Sequence, residues 1–270
     1  CAGVLTLIEL LRFILLGGFP WLLPGLVLVD TIGQDLIPLI GIYGGSFFVY
    51  FISLFLLSSF QNKSYKQVFL GLGLLMAFYP HPGYKQPLLD EGLNIAIIQP
   101  SLDPFKKYED NYKNTIENAL VNLSNTNTEV DLLIWPESPL PYLNSSQEMN
   151  KLLARTNNLP TILSGGWEYN NGDLQNVMSV LGEKQTYAKQ HLVLFGEYIP
   201  FEGLLRGLIE FFDMPMSTIK PGNANQELFT INGKQVLGLI CFDIAFPLSY
   251  VNQSKKADFI VNISNDTWFG

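Results

Sequence analysis

Hydrophobic and polar positions change character along this chain near residue 80. Up to there Leu, Ile, Val, Phe and Gly dominate; beyond it apolar and polar residues mix as in a fold that keeps a core in water. Residues 1–16 form an apolar run carrying Glu9 and Arg12, spaced to pair on one face of a helix. Ionisable groups at membrane depth are costly and usually face a bundle interior, the alternative being a helix end from which Arg12 reaches the interface. Gly17-Gly18-Phe19-Pro20-Trp21 breaks that helix. Residues 36–58 are apolar and uncharged over about 20 residues, enough to cross hydrocarbon. The shorter run 67–80 predicts a second crossing, with Tyr79 and Tyr84 at the interface. Lys63 and Lys66 between these runs put their loop in the cytoplasm, and everything after residue 84 on the outer, periplasmic side.

In the second part, short apolar runs rich in β-formers at 93–98, 131–135, 160–164, 177–181, 235–240 and 258–263 predict strands. Stretches 109–124, 146–156 and 202–212 predict helices. Such mixed order predicts an α/β fold with strands covered by helices. The expected division is therefore a partial bundle of transmembrane helices over 1–83 and a soluble domain over 84–270. The chain opens on Cys1 without a signal-like leader and stops at Gly270 after a strand-like run, so both ends are expected to be cut from a longer protein, and the domain to be incomplete at its C-terminus.

Charge refines this picture. The net charge is −8, and before residue 85 Arg12, Lys63 and Lys66 balance Glu9, Asp30 and Asp35, so the excess is in the soluble part. With no long basic run, nucleic acid is excluded as a partner. Cys1 in an apolar run and Cys241 far away offer no disulfide framework, which leaves Cys241 a free thiol. His81 and His191 are too few for a metal cluster.

Three reactive side chains fall in or just past strand-like runs. Glu137 follows Leu132-Leu133-Ile134-Trp135-Pro136, Lys189 follows Tyr187-Ala188, and Cys241 closes Val236-Leu237-Gly238-Leu239-Ile240. A thiol with an ordinary pKa of about 8.5 is mostly protonated at neutral pH and needs a base or a cation to become a nucleophile. Glu137 could be that base and Lys189 that cation, the lysine also stabilising an oxyanion. Each has a plainer reading alone: a small buried core cysteine, an acid near a helix N-terminus, a solvated strand lysine. A Cys241–His191 dyad is the weaker pairing, with His191 read as a structural neighbour of Lys189.

Trp135-Pro136-Glu137-Ser138, Lys189-Gln190-His191-Leu192 with Phe195-Gly196-Glu197-Tyr198, and Cys241 with Ser264-Asn265-Asp266-Thr267-Trp268-Phe269-Gly270 together resemble, in order and spacing, the nitrilase-like domain of the apolipoprotein N-acyltransferases. Glu9, Arg12 and Gly18-Phe19-Pro20-Trp21 resemble that family's membrane motif, and Phe211-Phe212-Asp213-Met214-Pro215-Met216 its loop at the active-site mouth. The resemblance implies an α-β-β-α nitrilase-like sandwich preceded by transmembrane helices. It implies Glu137 as general base, Lys189 as oxyanion stabiliser and Cys241 as nucleophile, with Glu197, Phe242 and Asp243 in support. It also implies Phe19, Trp21, Tyr108, Met214 and Met216 as substrate-binding residues. Where the family carries Tyr and Glu after the nucleophile this chain has Phe242 and Asp243, and Tyr108 stands for a loop tryptophan.

The implied activity passes an acyl chain from a phospholipid, phosphatidylethanolamine by expectation, through a Cys241 thioester to the amino group of a diacylglyceryl-cysteine on a lipoprotein. It needs no cofactor and no metal, and belongs to a multi-pass protein of the bacterial inner membrane. The competing readings are a membrane-anchored amidase with the same triad, and an inactive scaffold that binds lipoproteins.

Overall fold

The structure is a computed structural model and describes residues 1–15, 18–80, 92–103, 105–109, 111–194, 196–198 and 219–265. Two compact units form, Cys1–Leu89 and Asp90–Gly270.

The first unit is helical: α1 spans Ala2–Ile14, α2 Ile37–Gln61 and α3 Tyr65–Leu74, with 3-10 turns at Pro24–Leu28, Ile32–Leu36 and Leu75–Phe78. Among the described residues one helical stretch, Ile32–Gln61, is long and apolar enough to cross a membrane. The second crossing expected over 67–80 lacks that length, because the helix running from Tyr65 tightens into a 3-10 turn and stops at Phe78. Arg12 pairs with Glu9, as their spacing predicts. Its Nη1 donates to Glu9 Oε2 at 2.8 Å and its Nη2 to the Trp21 carbonyl at 2.7 Å, while Tyr50 of α2 donates to Glu9 Oε1 at 2.9 Å. The buried acid is thus satisfied on both oxygens, and the loop after α1 is tied back to the helix it leaves.

The second unit has two sheets. In the first, β1 (Ile95–Ile97), β2 (Leu132–Ile134) and β3 (Thr161–Asn170) run parallel, and β4 (Asp173–Val180) and β5 (Thr186–Ala188) continue it antiparallel in chain order. In the second, β7 (Lys234–Ile240) pairs antiparallel with β6 (Phe229–Ile231) and parallel with β8 (Phe259–Ile263). Helices α4 (Lys113–Asn125) and α5 (Gln147–Thr156) cover the first sheet, burying Ile116, Leu120, Met149 and Leu152 against Leu133 and Trp135. Ser146 caps α5 by accepting the Met149 amide at 3.1 Å. Trp135 is fully buried with its indole nitrogen donating to Ser124 Oγ at 3.0 Å. The two sheets meet where β4 lies against β7, with Met178 and Phe229 closing over Gly238. These layers are the α/β sandwich that the sequence predicts.

Two hairpins escape the strand assignments. The run at 160–164 is only the start of β3, which turns at Asn171-Gly172 into β4, and β6 turns at Asn232-Gly233 into β7. In both turns the Asn and the Gly have positive φ, the conformation that matches the twist of paired strands. The helix expected over 109–124 begins at Lys113. The helix expected over 202–212, the loop with Met214 and Met216, and His81 and Tyr84 lie outside the described residues.

Candidate active site

Glu137 stands just beyond β2, where Trp135 and Pro136 carry the chain out of the sheet. Its neighbour Ser138 takes a left-handed backbone, φ +40, unusual for a residue other than glycine. The neighbouring strand allows this, because Gly165 of β3 presses on the turn. A Cβ there would stand 2.5 Å from the Ser138 nitrogen and 2.8 Å from the Glu137 Cα, and the Gly165 amide donates to the Pro136 carbonyl at 3.2 Å. Glu137 Oε1 accepts from Asn176 Nδ2 of β4 at 2.7 Å and from Lys189 Nζ at 3.3 Å, and its Oε2 accepts from the Asn265 amide at 3.1 Å. Burial pushes the Glu137 carboxyl above its ordinary range, and the Lys189 charge pulls back against that without overcoming it.

Lys189 follows β5 and is 1% exposed. Its backbone extends the β4 pairing, with its amide donating to the Asn176 carbonyl at 2.8 Å. Its Nζ sits between two carboxylates, reaching Glu197 Oε1 at 2.7 Å as well as Glu137. Glu197 is itself held, because its Oε2 accepts the Val193 amide at 2.8 Å. Burial alone would lower the Lys189 pKa; the charges of Glu137, Glu197 and Cys241 more than reverse this and keep the ammonium protonated.

Cys241 is the first residue past β7 and opens a 3-10 turn, Cys241–Ala245, at φ +51. The chain therefore turns sharply at the thiol and lifts it from the strand end. Cys241 is a free thiol. Burial and then the Glu137 charge push its pKa up, while Lys189 and a hydrogen bond with Ser264 pull it down; the net direction is upward. The arrangement therefore rests with the thiol protonated, a base and a fixed cation within its electrostatic reach.

Asp243, fully buried, fastens the Cys241 turn to the segment that carries Lys189. It accepts the Gln190 amide at 3.2 Å, the His191 amide at 2.8 Å and the Tyr187 hydroxyl at 2.9 Å. His191 belongs to this clasp, with Nδ1 3.2 Å from Asp243 and 3.0 Å from the Tyr250 hydroxyl, and Nε2 3.1 Å from Ser249 Oγ. Phe242 packs edge-on against Phe246. Tyr108 is exposed beside Lys107. In the other unit, Phe19 and Trp21 stack 6.2 Å apart and are 42% and 53% exposed.

Sequence reasoning missed Asn176, Ser138 and Lys107, all buried polar residues around Glu137. Ser138 stood in the motif Trp135-Pro136-Glu137-Ser138 without a role, and Asn176 carried a signal as a polar residue leading the apolar run Val177-Met178-Ser179-Val180. A cavity of about 1060 Å³ opens between β1 and β8 with Lys107, Pro136 and Asn265 on its wall. It adjoins the site without containing Cys241 or Lys189, which are absent from its lining.

The family model described as Carbon-nitrogen hydrolase matches residues 94–270. The chain belongs to the carbon-nitrogen hydrolase family. A second model, the Apolipoprotein N-acyltransferase N-terminal domain, matches residues 1–55. Two relatives named apolipoprotein N-acyltransferase are similar along the whole chain. One from Pseudomonas aeruginosa is 31% identical, covering 100% of this chain and 56% of that protein; one from Haemophilus ducreyi is 30% identical, covering 100% and 57%. The chain thus spans a little over half the length of the curated relatives it matches. Among solved structures it is similar to a CN-hydrolase superfamily protein from Xanthomonas campestris, with a TM-score of 0.47 and 17% identity over 64% of each chain.

Proposed function

We propose that this chain is the membrane and catalytic part of an apolipoprotein N-acyltransferase. The observation that carries the reading is the electrostatic coupling of Glu137 and Lys189 to a thiol lifted out of β7, in a chain similar throughout to proteins of that name. Cys241 is the nucleophile. Its sulfur attacks the acyl ester carbonyl of a phospholipid, phosphatidylethanolamine in this reading, and Glu137 takes the thiol proton. The Lys189 ammonium faces the oxyanion that develops. The ester C–O bond then breaks, Glu137 returns the proton to the departing oxygen, and lysophospholipid leaves a thioester behind. The free amine of a diacylglyceryl-cysteine attacks that thioester, an amide forms, and the thiol is restored.

Glu137 is suited to this shuttle because its raised pKa makes the proton easy to hold as well as to release. Glu197 keeps Lys189 charged and aimed, while Asp243 and Phe242 hold the nucleophile turn. Tyr108, and separately Phe19 and Trp21 in the helical unit, are exposed aromatic surfaces suited to lipid chains; Met214 and Met216 are read as substrate-binding on the family resemblance alone. The protein is read as a multi-pass protein of the bacterial inner membrane, with the catalytic unit in the periplasm; the lysine pair Lys63 and Lys66 supports that orientation.

Intact mass of the full-length protein after incubation with phosphatidylethanolamine tests the reading. A hydroxylamine-labile acyl adduct on wild type, absent from Cys241→Ala, is expected. A folded, membrane-inserted wild type without any adduct would sink it and favour a hydrolase of smaller amides.

A further inference from the structure

Lys107 has no part in the chemistry above, yet it is only 8% exposed and its ammonium is turned inward. Lysine is seldom buried unless its charge is used. Its Nζ donates to the main-chain carbonyl of Ser138 and lies 5.3 Å from the centre of the Tyr108 ring. Ser138 follows Glu137 and is held at φ +40, a conformation that a serine keeps only where its surroundings enforce it. Gly165 leaves room for it, Asn176 Oδ1 accepts from its hydroxyl at 3.0 Å, and Lys107 holds its carbonyl. The same Asn176 donates to Glu137 at 2.7 Å, so one chain of contacts runs from Lys107 through Ser138 and Asn176 to the carboxylate.

We propose that Lys107 is a positioning residue for Glu137: its ammonium clamps the Ser138 carbonyl and so fixes the turn that bears the carboxylate, and its positive charge favours the ionised form. The inference rests on Glu137 being the base of the proposed reaction. Among the described residues, the charge that bears on Lys107 is that of Glu137, beyond the turn after β2, with Lys189 and Glu197 paired to one another and Lys189 to Glu137. On Lys107's own segment Tyr108 presents its ring, and Asp103 is paired with Lys106 at 3.9 Å. Burial lowers the Lys107 pKa from 10.5 to about 8, and Glu137 opposes that fall. By Coulomb's law a carboxylate that favours the ammonium is in turn favoured by it, here as a smaller influence on Glu137 than burial and Lys189.

The test uses the full-length protein in phospholipid nanodiscs and p-nitrophenyl acetate, a small donor whose acetyl group goes to Cys241 as p-nitrophenolate leaves. Acetyl-adduct formation is followed by mass across a pH series in wild type, Lys107→Arg, Lys107→Gln, Lys107→Met and Glu137→Gln, with thermal unfolding of each. Glu137→Gln is expected to abolish the acid limb of the profile, which identifies that limb. Lys107→Gln and Lys107→Met are expected to move it upward by about one pH unit, since a nearby cation no longer favours the carboxylate. Lys107→Arg is expected to leave it in place. The plateau rate is expected to fall on the order of tenfold in Lys107→Met, and less in Lys107→Gln, whose amide can still donate to Ser138.

An acid limb unmoved in the uncharged variants, however far their rates fall, overturns the proposal. So does an equal shift in Lys107→Arg, or an acid limb that survives Glu137→Gln. Should Lys107→Met fail to fold, the Gln and Arg pair decides. A wild type that takes acetyl groups with the expected limb but takes no acyl chain from phosphatidylethanolamine removes the transferase reading and leaves the Lys107 result standing.

Discussion

Cys241 is a poor nucleophile at rest, and its neighbours pull in opposite directions. Glu137 raises the thiol pKa through its charge and yet is the group that would accept the thiol proton; Lys189 lowers it. The signs separate the two effects. Glu137→Gln removes a negative charge, so the thiol should ionise at lower pH than in wild type while acylation falls on the order of 10²–10⁴-fold. Lys189→Met should raise the thiol pKa and also abolish acylation. Thiolate absorbance against pH, beside acyl-adduct formation, checks both; a Glu137→Gln thiol that ionises at higher pH would contradict the arrangement. Asn176 offers a gentler probe. Its hydrogen bond lowers the Glu137 pKa, so Asn176→Ala should move the acid limb of activity upward and cost about 1–3 kcal/mol of stability, measured by thermal unfolding. Since the Glu137 pKa is raised in the fold above its ordinary value of 4.5, the protonated carboxyl is the better tolerated form. That contribution to stability is complete below about 4.5 and is lost as pH rises through the folded value.

At the scale of elements, the site is made by three strand ends and the turns that leave them. β2 delivers Glu137, β5 delivers Lys189 and β7 delivers Cys241, and two of the turns carry non-glycine residues at positive φ, Ser138 and Cys241. Gly165→Ala should be among the more damaging small substitutions in the catalytic unit, because its methyl group would meet main-chain atoms that cannot yield without moving Glu137. A loss of about 1–3 kcal/mol is expected, with acylation falling further than stability does; a fully active Gly165→Ala protein would refute this account of the turn. The strand ends were legible in sequence as apolar runs closing on a charged or nucleophilic residue. The hairpins at Asn171-Gly172 and Asn232-Gly233 were equally legible by turn chemistry and were missed. The strand assignments followed hydrophobic runs, whereas the outer half of β3, Trp167-Glu168-Tyr169-Asn170, is polar and partly exposed.

Over the whole chain, one unit has a stretch able to cross a membrane and the other has Cys241, the proposed nucleophile. In the helical unit Glu9, Arg12 and Tyr50 form a polar knot that also holds the carbonyls of the Phe19–Trp21 loop. Arg12→Ala would leave Glu9 with a single hydroxyl partner in an apolar setting. Such a loss should destabilise that unit by about 3–5 kcal/mol, read as lower thermal stability in detergent, with Glu9→Gln in the Arg12→Ala background recovering part of it. An Arg12→Ala protein as stable as wild type would show the knot to be dispensable.

The sequence by itself determined what depends on local pattern and residue chemistry. It marked an apolar first part and an α/β second part, because burial periodicity and composition are written in consecutive residues. It marked Glu137, Lys189 and Cys241 as candidates, because each closes a run of strand-forming residues. Only the tertiary structure decided that Lys189, 52 positions from Glu137, reaches its carboxylate through pairing within the first sheet, and that Cys241, 104 positions away, comes within its electrostatic reach through the packing of the second sheet on the first, which no local spacing encodes. It alone decided that His191 serves Asp243 rather than the thiol, and that Arg12 ties Glu9 to the loop after its own helix. Lys107 was invisible beforehand for the same reason. A lysine between Lys106 and Tyr108 reads as solvated, and only the fold takes its charge out of water and sets it against the carbonyl beside Glu137.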